Sequence, residues 1–534
     1  MMTLNAPFLN TFFRIIIKSG AIDPKFVRLY YDNMPLLAFA AAVLFLPKAI
    51  SYPYTTGING HLATNVPSSF SQGSTVSAKT EEFFGIYLQK QKIGFSTFRT
   101  EPTKWKLNGS MADAMKSNTE MSVSMGLIGS DVTIKVQTET ISINGKPVHM
   151  EFFQESAGRT QRVKADFSKS EIKASVDNNG AKSTATLAVP TDGAVVDDVL
   201  TPFLGNSSAK TQTFYVFDPS TVTVVKNTAK SKGKQRLTYA EDGKQIEVEA
   251  NVIEVSEPRL TTTVYLTSSG SLIKATSTLG IDYVRETKAL ATKPADPNQT
   301  APDLAAVSSI VPTPSINNPL ALKALSIELK ADNTPPIPND SSQQAKKKGD
   351  SWLITVAPVQ LQSSRSVSIA SAGAQKAEWK KPSMLIPSTS NQFRALAKKI
   401  IGKKTDVKSA TLAIRQWVHD NMTANAGIGV LRDASEVLKA KEGVCRDYAI
   451  LTTTILRAAG IPTRLASGIV NFDGTFYYHA WSEVWTGYDW VGVDSIPDSA
   501  HFTATHLKMS QGNVDKAFSF TILSNATIKV ISAR

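Results

Sequence analysis

The sequence predicts a multidomain chain: an antiparallel β-rich N-terminal domain followed by a C-terminal α+β domain. Three observations carry that expectation. The 534 residues exceed what one ordinary core accommodates, so two or three folded regions are expected. Apolar residues alternate with period two between 81 and 290. From 390 onward the apolar period lengthens to that of a helix.

At the N-terminus, Arg14, Lys18, Lys25 and Arg28 precede an uncharged apolar run, "PLLAFAAAVLFLP" at 35–47. That run is short for a membrane span and suits the core of a secretory signal, with "AIS" at 49–51 offering small residues before a cut at Tyr52. The basic segment ahead of it is long for a signal, so an uncleaved anchor competes, and a buried core helix is the bland alternative. Residues 1–51 are thus read as a signal peptide or N-terminal membrane anchor, with an exported, periplasmic or envelope location. Residues 52–80, rich in Ser, Thr, Gly and Asn, read as a linker.

The 81–290 stretch contains "DVTIKVQTETISI", "QTFYVFD" and "QIEVEANVIEV", separated by turns such as "DNNG" and "EDGK". Alternating Thr, Val, Ile and Tyr argue for strands with one buried and one wet face, in a large curved sheet or a sandwich. The one helix suggested here is "VVDDVLTPFL" at 195–204. No cluster of catalytic residue types occurs in this region. Residues 291–320, rich in Pro, Ala and Ser, read as a second linker.

The C-terminal domain is expected over 321–534. Short strands are read in "LKALSIELKA" and "SWLITVAPVQ", separated by the polar "DNTPPIPNDSSQQAKKKGD". Two amphipathic helices follow, with Phe393, Leu396 and Ile400, then Ala410, Ile414, Trp417 and Val418, on one side. In "DASEVLKAKEG", Asp433 and Glu436 have capping-box spacing and Gly443 is read as the C-terminal cap.

The net charge of +13 is spread along the chain, densest at "KKK" 346–348, "KSKGK" 230–234 and "KKIIGKK" 398–404. Solvated surface lysines account for it. No helix-turn-helix, zinc-finger or RNA-binding signature accompanies it, so nucleic acid is not an expected partner. Attraction to acidic lipid or wall polymers stays open. One cysteine excludes an intramolecular disulfide framework and any zinc site that needs two cysteines. No cofactor or metal is expected, and no calcium loop of the EF-hand type occurs.

That cysteine, Cys445, opens a helical pattern ended by Gly460 and Pro462, with Tyr448, Leu451, Ile455, Leu456 and Ala459 on one face. Unpaired N–H groups at a helix start favour a thiolate, and Arg446 adds positive charge. A small buried hydrophobe is the bland reading of the same position. A nucleophilic thiol needs a base, and the base needs an orienting partner. "YYHAWSEVW" at 477–485 and "WVGVDSI" at 490–496 read as strands joined by "TGYD". If Trp485 pairs with Trp490, Asp494 falls opposite Trp481 and diagonal to His479, within reach of a side-chain hydrogen bond. Glu483 shares that face as a competing orienter, and Asp447 and Asp498 are weaker ones. His501 and His506 trail the hairpin with no partner pattern.

The run from "SATLAIRQWVHDNM" through "EGVCRDYAILTTTILRAAGIPTRLASGIV" to "HAWSEVW" and "WVGVDSIPD" resembles the bacterial transglutaminase-like superfamily. The residues that carry the likeness are Gly443, Cys445, Asp447, Tyr448 and Ala449; Gly460, Ile461, Pro462 and Arg464; His479 to Val484; and Trp490 with Asp494. The likeness covers roughly 390–500. It implies a papain-like core with Cys445 as nucleophile, His479 as base and Asp494 as orienter. One departure is Ser495 after the aspartate, where the family often has Pro. A Cys–His–Asp set performs acyl transfer, ending in hydrolysis or in transfer to an amine, and the family includes both; an exported, basic protein suggests a peptide, protein or wall-peptide substrate in the envelope. A non-catalytic envelope scaffold or peptide-binding module, and a membrane-anchored adaptor, are the rival readings. The sequence does not fix the oligomeric state.

Overall fold

The computed structural model describes residues 79–534, apart from 108, 128–129, 198–199, 201–202, 204–210, 242–243, 258–259, 279, 294–301, 303–308, 332–333, 335, 426–430, 518–522 and 524. The expected signal or anchor and nearly all of the first linker lie outside the described residues. Among the described residues, no helix is long and apolar enough to cross a membrane.

Residues 80–285 form one fourteen-stranded sheet whose neighbouring strands are antiparallel. The first strand, Thr80–Leu88, pairs on one side with the next in sequence and on the other with the last, Ile281–Arg285. The meander therefore spreads in both directions from its own termini, and its edges are Ala181–Ala188 and Thr211–Asp218. Of the two architectures the alternation allowed, the single sheet forms. Its pleat decides which residues pack: Ile134, Val136 and Thr138 are buried, while Thr133, Lys135 and Gln137 turn outward. The helix expected over 195–204 lies partly outside the described residues. Its start is not helical, because Val195 bridges Tyr215.

The C-terminal region holds two four-stranded antiparallel sheets. One contains Leu325–Lys330 and Ser351–Val356, as the alternation predicts, joined by Thr527–Ala533. Its edge strand, Gln343–Lys348, arises from the stretch read as a polar separator. Exposed lysines 346–348 are compatible with that edge, where charge discourages pairing with another chain. The other sheet runs in the order Trp490–Val493, Thr475–Trp485, Thr463–Phe472, Leu507–Gly512.

Helices Asn391–Ile401 and Val407–Asn421 surround the helix Cys445–Ala458, which also packs on this second sheet. Cys445–Ala458 is buried from Cys445 to Arg457, on every face and not only along the apolar stripe. It is the central helix of the region, covered by helices on one side and the sheet on the other. The short helix Ala434–Ala440 begins at Asp433, whose carboxylate accepts from the N–H groups of Ser435 and Glu436. Its C-terminal cap is Lys441, at φ 55°, and not Gly443. Gly443 instead lies in a two-residue strand paired with Ala424.

A pair of charged contacts links the large sheet to this region. Arg159, just past a tight hairpin turn at 157–158, donates to Glu436 at 2.8 Å and to Glu442 at 2.5 Å. Glu442 stands three residues before Cys445.

Candidate active site

Cys445 is the first residue of its helix, and the residues around it fix that start. Asp447 Oδ2 accepts from the Val444 N–H at 2.9 Å. The same carboxylate pairs with Arg432, Nη2 at 2.9 Å and Nε at 3.3 Å, both side chains fully buried. Arg432 Nη2 also donates to the Glu442 carbonyl at 2.7 Å. A Cβ on Gly443 would lie 2.7 Å from Asp447 Oδ2 and 2.8 Å from Arg432 Nη2. The glycine before the cysteine is thus required by close approach, and the aspartate after it is a helix-start anchor. The far end is tied down by Arg457, which donates to the carbonyls of Thr463 and Lys381 and to Asn513 Oδ1. Gly460, at φ 87°, then turns the chain into the next strand.

The hairpin pairs Trp485 with Trp490 and Ser482 with Val493, the register the turn predicts. Asp494 follows directly. His479 Nε2 donates to Asp494 Oδ2 at 2.8 Å, and both residues are buried. Asp494 Oδ1 accepts from the Ile496 N–H at 3.0 Å, and Arg415 Nε donates to the Asp494 carbonyl at 3.0 Å. Arg415 also holds the carbonyls of Asp498 and Ser499, so one buried guanidinium shapes the loop that presents the carboxylate. Ser495, which takes the place of the expected proline, bonds Thr452 at 2.8 Å and ties that loop to the Cys445 helix.

His479 also hydrogen-bonds the Cys445 thiol. With Nε2 engaged by Asp494, that contact falls to Nδ1. Burial disfavours the imidazolium, but Asp494 and then Cys445 outweigh it and raise the His479 pKa to about 10. Burial likewise opposes the Asp494 carboxylate, and His479 with His506 overcome it, leaving its pKa well below the usual carboxylate range. The structure therefore brings Cys445, His479 and Asp494 into one hydrogen-bonded series, able to hold a thiolate, an imidazolium and a carboxylate in line.

The competing orienters are committed elsewhere. Glu483 pairs with Arg464 and with Lys508, each at 2.6 Å, and Asp498 pairs with His419 at 3.0 Å. Asp447 is taken by Arg432 and the helix start. Arg446 is buried beside the thiol; burial lowers its pKa, opposed by Asp447 and Cys445. Tyr478, buried on the strand next to His479, has its pKa raised first by burial and then by Cys445.

One residue of this cluster departs from the sequence reading. His506 does have a partner: its Nε2 stands 3.5 Å from Asp494 Oδ2. His506 directly precedes the strand Leu507–Gly512, which pairs with Thr463–Phe472 across more than thirty residues of sequence, so no turn signals the register. His479, Asp494 and His506 place ligand atoms within 4.8 Å of one another, a spacing open to a metal ion. The 2.8 Å hydrogen bond within the set accounts for that closeness without one.

Residues 394–495 match the family model of the transglutaminase-like superfamily, and the C-terminal region is a transglutaminase-like α+β domain. An uncharacterised protein of Mycobacterium leprae is 32% identical over 109 residues, 19% of this chain and 39% of that protein. An uncharacterised protein of Mycobacterium tuberculosis is 37% identical over 78 residues, 12% of this chain and 25% of that protein. The chain thus spans under two-fifths of the length of these relatives. A solved structure from Cytophaga hutchinsonii, described as "a Putative Cysteine Protease", is 19% identical with a TM-score of 0.29, covering 42% of this chain and 88% of its own. A β-barrel-like protein from Brucella abortus, 15% identical with a TM-score of 0.27, covers 39% of this chain and 95% of its own.

Proposed function

We propose that this chain is an exported thiol acyl-transfer enzyme that acts on amide bonds of peptides or proteins through Cys445, His479 and Asp494. The observation that carries the reading is His479, bonded on one side to the Cys445 thiol and on the other to Asp494. The Cys445 thiolate attacks the amide carbonyl and forms a C–S bond. The tetrahedral oxyanion takes a hydrogen bond from the Cys445 backbone N–H, at the positive end of its helix. His479 gives its proton to the departing amine as the C–N bond breaks. Water, deprotonated by His479, or a second amine then releases the thioester. Hydrolysis is preferred because water needs no second binding site. The apolar run at 35–47 supports export, and the net charge of +13 suits a substrate in an anionic cell envelope.

A second reading, a non-catalytic peptide-binding scaffold, is favoured by one observation: Cys445 is only 1% exposed. Incubating wild type and Cys445→Ala with a peptide library, with and without an amine donor, decides between them. Products formed by wild type and lost in Cys445→Ala are expected, and the amine separates hydrolysis from transfer. Equal product from both proteins, or none from either while iodoacetamide labels Cys445 as an ordinary thiol, sinks the enzyme reading.

A further inference from the structure

We propose that His506 is a positioning residue, a second imidazole that presents an N–H to the same oxygen of Asp494 that His479 engages. The proposal rests on the reading of Asp494 as the orienting carboxylate. It adds a residue from the fourth strand region of the sheet to a set otherwise supplied by one helix and one hairpin.

Three features fix the ring. His506 is 1% exposed at its side chain, stacked on Phe502 with centroids 3.9 Å apart, and met edge-on by Trp481 at 5.2 Å. Its Nδ1 lies 2.9 Å from Thr503 Oγ1 and 3.1 Å from the Thr503 carbonyl, and Thr503 Oγ1 is 2.8 Å from Thr505 Oγ1. Its Nε2 is buried and makes no hydrogen bond of good geometry; Asp494 Oδ2, 3.5 Å away, is the carboxylate oxygen that faces it.

The tautomer follows from what faces each nitrogen. Asp494 and His479 are the titratable groups that face the ring. Burial, aided by the neighbouring His479, outweighs the attraction of Asp494 and holds His506 below its ordinary pKa, so the ring is neutral. A neutral ring carries one N–H. With the proton on Nδ1, the Nε2 lone pair would face a carboxylate across 3.5 Å, with no donor between them. With the proton on Nε2, that N–H points at Asp494 Oδ2 while Nδ1 accepts from the Thr503 hydroxyl. Nδ1 also lies 3.1 Å from the Thr503 carbonyl, which would accept from an Nδ1–H, so the choice rests on the full negative charge facing Nε2 against the neutral carbonyl facing Nδ1. At 3.5 Å the N–H acts as an oriented dipole more than as a full hydrogen bond. It stabilises the anionic carboxylate and keeps Oδ2 turned toward His479, which in turn favours imidazolium at His479.

The test uses full-length protein labelled with ¹⁵N-histidine. Long-range ¹H–¹⁵N spectra are expected to show His506 as the neutral Nε2–H tautomer. The midpoint of His479 titration is expected to fall by about half a pH unit or more in His506→Phe, which keeps a ring and deletes the donor. His506→Gln, which can place an amide N–H at the Nε2 position, is expected to restore it. An Nδ1–H tautomer, or a His479 midpoint unchanged in His506→Phe, overturns the proposal. So does an equal shift in both variants, which marks a packing role alone. These readouts need no turnover, so they remain decisive even where Cys445→Ala shows that the enzyme reading has failed.

Discussion

Arg432 and Asp447, both fully buried, form an ion pair at 2.9 Å directly beneath the start of the Cys445 helix. The pair also serves backbone groups: Asp447 accepts from Val444 N–H and Arg432 donates to the Glu442 carbonyl. Removing one partner leaves an uncompensated buried charge. Arg432→Met and Asp447→Ala are each expected to cost about 3–5 kcal/mol of stability, read by urea denaturation. The double variant is expected to cost less than the sum, which a double-mutant cycle measures.

Gly443 has no room for a side chain. Gly443→Ala is expected to destabilise by about 1–3 kcal/mol, because the new methyl must displace the Asp447 carboxylate or the Arg432 guanidinium. Cys445 alkylation is expected to slow in the same variant, since the helix start that polarises the thiol moves. A variant with wild-type melting and labelling would contradict the close-approach account.

The pH dependence follows from His479. Its pKa is raised from 6.5 to about 10, so the imidazolium persists into alkaline solution. The rate is expected to hold through neutral pH and to fall as pH approaches 10. The stability this group contributes is full below 6.5, its ordinary value, and is lost as pH rises through about 10. Asp494→Asn removes the anion that opposes burial. The alkaline limb should then move to lower pH, and the rate at pH 7 should fall by about 100-fold or more. An alkaline limb in the same place for both proteins would remove Asp494 from the mechanism.

Arg159 carries a prediction about the two regions of the chain. Arg159→Ala leaves Glu436, buried in its helix, without this partner and releases Glu442 on the approach to Cys445. The C-terminal region is expected to melt at lower temperature while the sheet's own transition stays in place, as scanning calorimetry would resolve. A single unshifted transition would show the contact to be without energetic consequence.

Much of this was legible in the sequence because it is local. Alternation between 81 and 290 announced antiparallel strands, and a four-residue turn set the hairpin register that puts His479 beside Asp494. Helix periodicity placed Cys445 at a helix start, since capping and period are properties of neighbouring residues. Local signals misled where tertiary contacts took over. Gly443 looked like a cap, but its packing against Asp447 and Arg432 is what demands a glycine. The Cys445 helix looked amphipathic, but helices and sheet enclose it. His506 looked partnerless because the strand that follows it reaches the site by pairing with residues far away in sequence. The sequence by itself determined which side chains could do the chemistry and which short elements hold them. Only the tertiary structure decided which carboxylate faces His479, what anchors the helix start, and that a second imidazole stands beside Asp494, because those depend on burial and long-range pairing that no local pattern encodes.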